Sequence, residues 1–271
     1  MNKNIISKHN YFTERNMKNL LISLLFISTG ILKAQKSTNT SIGENEKLVY
    51  TASYKMSGLL TNLAQVTMQT SRVNTGKSNY LRLKCNAATY SKWDSFFKIR
   101  DVYEAYVNPS NLKPYLYKRD INEGGYIKTE KYVYKHKSKT IKATMQKKKA
   151  PNTKTLKMEH NTYDVISTLY HIRNMDIEKA PIGTNQKITI LFDRKPQTAY
   201  LKLLGKEVIN IKGLGKKECY KIAVNNKTLK GTNQNIVYLT ADKNKVPALI
   251  KFSIPAGTGQ LALTEASGLK N

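Results

Sequence analysis

The run AQVTMQ, Ala64 to Gln69, decides the fold. Ala64, Val66 and Met68 face one way while Gln65, Thr67 and Gln69 face the other, the period-two pattern of a strand with one buried and one wet face. The alternation predicts further strands near Lys47–Lys55, Asn79–Ala88, Phe96–Val107, Pro114–Asn122, Tyr126–His136 and Thr140–Gln146. It resumes at Lys187–Phe192, Thr198–Leu204, Glu207–Lys212, Glu218–Val224, Asn235–Thr240, Ala248–Ile254 and Gly259–Glu265. Gly124-Gly125 sits between two of these, and glycine supplies the positive φ that a tight hairpin turn needs at both central positions. The expectation is an all-β, mainly antiparallel protein.

One segment breaks the rhythm. From Thr162 to Met175 the apolar residues Val165, Ile166, Leu169 and Ile172 recur at helical spacing, with Asn161 as N-cap and Asp164 in the first turn. Arg173 falls on the apolar side of this amphipathic helix, between Leu169 and Ile166. Asp101 interrupts the apolar phase of Phe97, Ile99, Tyr103, Ala105 and Val107, and Arg119 does the same among Tyr115, Tyr117 and Ile121. An inward charge needs a partner. Asp101 is therefore expected to pair with Arg173 or Arg119, either to latch helix to sheet or to leave an arginine for a ligand's anionic head.

The chain's start supplies an address. Between Met17 and Gln35 a short basic stretch, an apolar run from Leu20 to Leu32 and a small residue at Ala34 spell a cleavable export signal. The apolar run is about 13 residues, short of the roughly 20 a helix needs to cross a bilayer, so no transmembrane anchor is expected after cleavage. The domain plan is a leader at 1–34, with 1–16 as an upstream extension if Met17 is the true start. A polar tail at 35–45, one β-rich domain at 46–265 and a short tail at 266–271 follow. The localisation this implies is the periplasm.

The formal net charge is +28, and the leader holds only five of the basic residues. Such a charge attracts anionic partners, including envelope lipids, and aids solubility. Of the 46 basic residues, 39 are Lys and seven are Arg, whereas the forked guanidinium is the group suited to bidentate phosphate recognition. With export and no recognition motif, specific nucleic-acid binding is not expected. Cys85 and Cys219 permit one bridge in an oxidising compartment, although Cys219 is out of phase with Tyr220, Ile222 and Val224; spacing leaves the matter open.

Catalytic and metal readings find little. Asp164 suits a helix start, His160 and His171 lie near it, but no HExxH or CxxC spacing accompanies them. No GxSxG, P-loop or GxGxxG occurs, and Gly213-Leu214-Gly215 lacks a third glycine. No enzyme activity, metal or cofactor is expected.

Four stretches carry a resemblance: FFKIRDVYEAYVN (Phe96–Asn108), RDINEGG (Arg119–Gly125), YDVISTLYHIR (Tyr163–Arg173) and VYLTADKNKVP (Val237–Pro247). In order and spacing the chain resembles the family called domain of unknown function 3108, from about Glu46 to Glu265. The resemblance implies an exported protein of Gram-negative bacteria, with the signal's ending pointing to the Bacteroidetes group, and supplies no chemistry. Tyr238 stands where family members often carry tryptophan. The expected architecture is a large curved sheet with the helix on its concave face, similar by analogy to the open half-barrel of periplasmic lipoprotein carriers. A sheet of that shape can enclose an apolar cavity. The leading expectation is thus a non-enzymatic binding or carrier protein for a lipid or other amphiphile. Tyr103, Tyr115, Tyr117 and Leu169 would line the cavity and Arg173 would contact the headgroup. The alternative is an envelope interaction module that docks a partner protein or lipopolysaccharide through its basic surface or a sheet edge.

Overall fold

The computed structural model describes residues 38–212, 214–226, 234–254 and 257–271. The export signal expected at 1–34 lies outside the described residues. The first run of strands is β1 (Lys47–Met56), β2 (Leu59–Asn74), β3 (Asn79–Thr89), β4 (Arg100–Val107), β5 (Pro114–Glu123), β6 (Tyr126–Lys135), β7 (Thr140–Gln146) and β8 (Asn152–Lys157). A three-residue strand β9 (Thr162–Asp164) leads directly into helix α1 (Val165–Arg173). The second run is β10 (Asn185–Phe192), β11 (Lys195–Ile211), β12 (Gly215–Asn226), β13 (Ile236–Thr240), β14 (Pro247–Ile254) and β15 (Gly257–Ser267).

All of these strands join one sheet in the order β8-β7-β6-β5-β4-β3-β2-β1-β15-β14-β13-β12-β11-β10-β9. Each half is a meander of antiparallel neighbours, and the halves meet where β1 pairs with β15. The pairing of β9 with β10 is parallel. β8 and β9 are the free edges, so the sheet is an open barrel. Helix α1 touches β3 and β4 on one side and β9 and β10 on the other, which requires the sheet to curl around it. Gly124 and Gly125 do form the β5–β6 turn, with φ of 55° and 85°.

The differences from expectation have local causes. Residues 162–164 are extended rather than helical, because Thr162 and Tyr163 are buried along β10. The helix cap is accordingly Asp164, whose carboxylate accepts from Ser167 N at 2.8 Å and from Ser167 Oγ at 2.7 Å. Asn161, the expected cap, instead occupies a left-handed turn at φ 57° and offers its carbonyl to Thr189 N. The two strands expected at Thr198–Leu204 and Glu207–Lys212 are one strand of 17 residues, carried past a register shift between Leu203 and Gly205. Both tails are docked: Ile42 enters the core, and Asn271 exchanges hydrogen bonds with Asn244.

Helix α1 is wrapped rather than one-faced. Ile166 and Tyr170 belong to one core cluster, Ile172 joins Tyr163 and Leu201 in a second, and Leu169 packs against both. His171 stacks on Tyr163 with ring centroids 4.2 Å apart. Each fully buried aliphatic or aromatic side chain contributes about 1.5–3 kcal/mol, which outweighs the low intrinsic stability of a nine-residue helix.

Cys85 and Cys219 are free, buried thiols. Burial pushes the first up to about 12 and the second to about 11, away from the reactive thiolate form. A thiol reagent should therefore leave the folded, unreduced protein unlabelled and modify both cysteines once it is unfolded. Two unreactive cysteines in the unfolded, unreduced chain would mean that they are bridged.

Candidate functional site

The inward charges expected from the sequence occur, but in three separate settings. Arg173, at the end of α1, is 1% exposed. Its Nη1 donates to Glu46 Oε1 at 2.6 Å and its Nη2 to Oε2 at 2.7 Å, a bidentate pair with a carboxylate that is equally buried. Nε and Nη2 also donate to Asn244 O, at 3.1 and 2.9 Å, and Nη2 to Ser41 O at 3.1 Å. Burial opposes the guanidinium charge, but the Glu46 hydrogen bond and charge, together with Tyr170 and Tyr50, outweigh it, so the group titrates above its ordinary range. Arg173 thus joins the N-terminal segment, the helix and the β13–β14 loop. It is not paired with Asp101.

Asp101 faces inward from β4 and accepts from Asn122 N at 3.0 Å and Tyr103 Oη at 3.2 Å. Its partners lie on its own strand and on the adjacent β5, and among the described residues no arginine pairs with it. Glu123 lies beside it. Burial and then the Asp101 carboxylate hold the Glu123 carboxyl above its ordinary range.

Arg119 occupies the mouth of the barrel with Lys128, Glu130 and Asp193. Its Nη1 is 2.8 Å from Asp193 Oδ1 and 3.5 Å from Glu130 Oε2, while Lys128 Nζ is 2.5 Å from Asp193 Oδ1 and 3.7 Å from Glu130 Oε1. The guanidinium also lies over Phe192 at 4.7 Å and Tyr103 at 5.5 Å. Asp193 and Arg194 form the β10–β11 turn, both in the left-handed region at φ 49° and 57°. That turn is clamped across the open seam: Arg194 N donates to Tyr132 Oη at 3.0 Å, and Arg194 Nη1 donates to Asn152 Oδ1 at 2.7 Å. The cluster binds opposite ends of the sheet order together and so closes the barrel with side chains.

The expected cavity residues divide. Tyr117 is 1% exposed and packs against Tyr132 with centroids 5.1 Å apart; Tyr103 and Leu169 are half-buried against the core. Tyr115 is outside, stacked edge-on with Tyr80 and His136, because a register shift between Tyr106 and Val107 turns the first residues of β5. A cleft of about 270 Å³ opens at the barrel end away from Asp193, lined by His136, Glu159, His160 and Tyr163 among others. The His136 Nε2 is 2.8 Å from Pro114 O. Among the described residues no group of three His, Cys, Asp or Glu side chains could hold a metal ion.

Sequence reasoning missed Glu46, Lys128, Glu130 and Asp193. The first three carried a signal: Glu46 is in phase with the inward Leu48 and Tyr50, and Lys128 and Glu130 with Tyr132 and Tyr134. Asp193 sits in a turn and carried none.

The model of the family described as "Protein of unknown function (DUF3108)" matches residues 49–264. No curated protein matches the chain. Among solved structures, the chain is similar to the beta-barrel-like protein of domain of unknown function DUF1849 from Brucella abortus. The TM-score is 0.58 at 7% identity, over 84% of this chain and 98% of that one. At that identity the likeness concerns the fold.

Two titrations at α1 oppose each other. Burial pushes the Asp164 carboxyl up to about 6 from 3.8, so its contribution to stability is present below about pH 4 and lost as pH rises through 6. Burial lowers His171 to about 4 from 6.5, so its contribution is present above 6.5 and lost as pH falls toward 4. Asp164→Asn, which keeps a capping side chain, isolates the first. Relative to the variant, the wild type should gain about 2 kcal/mol between pH 7.5 and 4.5 in denaturant titrations. A constant difference across that range would show that the carboxyl titrates normally.

Proposed function

The chain belongs to the family described as protein of unknown function DUF3108, and on that premise we propose that it is an exported, non-enzymatic binding protein of the periplasm that works through its outer surface, docking on an anionic component of the envelope. The partition of charge supports this reading. Inside, Arg173, Arg119 and Lys128 are each matched to carboxylates. Among the described residues, Lys128 is the one buried lysine, so the excess of lysine among them is at least partly open to solvent.

The rival reading, a carrier that encloses a lipid or other amphiphile, asks for a lined vacancy and a free headgroup contact. Tyr50, Tyr117, Tyr132 and Tyr170, each at most 1% exposed, occupy the space around α1. Arg173 is committed to Glu46 and two backbone carbonyls. Neither feature favours cargo in the interior, and docking through charge needs no vacancy.

Salt separates the two. Purified protein mixed with isolated envelope membranes should sediment with them at low ionic strength and be released by half-molar salt, because exposed charges are screened over less than about 10 Å beyond 0.1 M. Native mass spectrometry of the same preparation should show the bare chain. A stoichiometric amphiphile that co-purifies, with association indifferent to salt, would instead establish the carrier.

A further inference from the structure

In a meander, alternate turns share one end of the sheet, so the β1–β2 turn, the β3–β4 loop, the β5–β6 turn and the β7–β8 loop form one rim. Ten large apolar side chains are exposed among the described residues, and six of them are on this rim. They are Leu59 and Leu60 (74% and 51% exposed), Phe96 and Phe97 (76% and 47%), and Tyr126 and Ile127 (44% and 59%). Scattered apolar residues on a surface need no explanation, whereas six gathered on the tips of consecutive hairpins do.

The tips form a connected strip. Trp93 Nε1 donates to Asn62 O at 2.9 Å, and Tyr90 N to Leu63 O at 2.9 Å, tying the β3–β4 loop to the first hairpin. On its other side the loop is tied to the β5–β6 turn: Gly124 N donates to Lys98 O at 2.8 Å, and Ile99 bridges to Glu123. The Phe97 ring covers Gly124 so closely that a Cβ there would come within 2.8 Å of it. Lys147 Nζ lies 5.5 Å from the Tyr126 ring centre, which brings the β7–β8 loop into the strip.

The fully exposed charges on the strip are cationic, while Glu123, at the end of β5, is half-buried beside Asp101. Lys55, Lys92, Lys98, Lys147, Lys148 and Lys149 are all exposed there. Asp94, the acid in the β3–β4 loop, is already paired with Arg100. Apolar and aromatic tips set among flexible lysines are the composition of an interfacial membrane contact: the tips enter the headgroup and upper acyl region while the ammonium groups meet anionic phosphates. An acidic protein would satisfy the lysines, but it would leave Leu59 and Phe96 at the crests of separate hairpins without a pocket.

We infer that this rim is a docking site for the surface of an anionic phospholipid bilayer. The inference rests on the reading that the chain docks on an anionic envelope component, and it names that component and the face that meets it.

Trp93 is the single tryptophan of the chain and lies within the strip, so its fluorescence reports the contact. With vesicles of phosphatidylcholine and phosphatidylglycerol at low salt, emission should shift to the blue and be quenched by brominated acyl chains; vesicles of phosphatidylcholine alone should bind far more weakly. Leu59→Ser, Phe96→Ser and Ile127→Ser together, all at well-exposed positions, should weaken partition by about tenfold or more with the lysines intact. Tyr200→Ser with Val208→Ser, exposed apolar residues elsewhere, should bind as wild type. Rim variants that bind as tightly as wild type would overturn the inference while leaving charge-driven docking in place. So would a wild-type chain that sediments with envelope membranes but ignores protein-free vesicles, which would point to a protein partner. Failure to associate with either would overturn the docking reading itself.

Discussion

The buried ion pair of Arg173 with Glu46 is the constraint on which the rest of the structure depends. Both side chains are essentially inaccessible to water, and an unpaired charge there would cost several kcal/mol. Glu46 immediately precedes β1, Arg173 ends α1, and the carbonyls of Ser41 and Asn244 complete the guanidinium's hydrogen bonds. Three stretches remote in sequence, the N-terminal segment, the end of the helix and the β13–β14 loop, are thereby obliged to meet at one point. A hydrophobic contact could hold them too, but it would tolerate sliding, whereas a bidentate arginine fixes both position and orientation.

A second set of ion pairs does corresponding work at the mouth. Arg119 and Lys128, on neighbouring strands, hold Asp193, on the turn between β10 and β11. The pair at one end sets how the helix enters the barrel, and the cluster at the other sets how far the sheet curls before its edges stop. Between them the interior is filled by tyrosines and aliphatic residues from both halves of the sheet. The internal charges are neutralised locally and the lysine excess is left outside, so a function built on this scaffold has its strongest physical lever at the surface.

Much of this was legible in the sequence. Period-two alternation gave the antiparallel sheet, and the break at Val165, Ile166, Leu169 and Ile172 gave the helix, because both patterns follow from local geometry. The inward phase of Asp101, Arg119 and Arg173 was readable for the same reason. Their partners were not, since pairing depends on how distant strands curl: Asp101 is satisfied by Asn122 and Tyr103 next door, while Arg173 reaches back to Glu46. Tyr115 was misplaced because a register shift leaves no mark in periodicity. The cap moved from Asn161 to Asp164 because pairing of Thr162 and Tyr163 with β10 overrode local helix propensity. The apolar rim was invisible as a unit, since its members sit in turns separated by whole strands and come together only through the meander.

The most direct measurement is a double-mutant cycle on the buried pair, with Glu46→Leu, Arg173→Met and the combination followed by chemical denaturation and by sedimentation with envelope membranes. Either single variant should lose about 3–5 kcal/mol, and the double variant should recover much of that loss because no lone charge remains. Binding by whichever variants stay folded should match the wild type. An Arg173→Met protein as stable as the wild type that no longer binds would contradict the account, because Arg173 would then be reading a ligand instead of holding the fold.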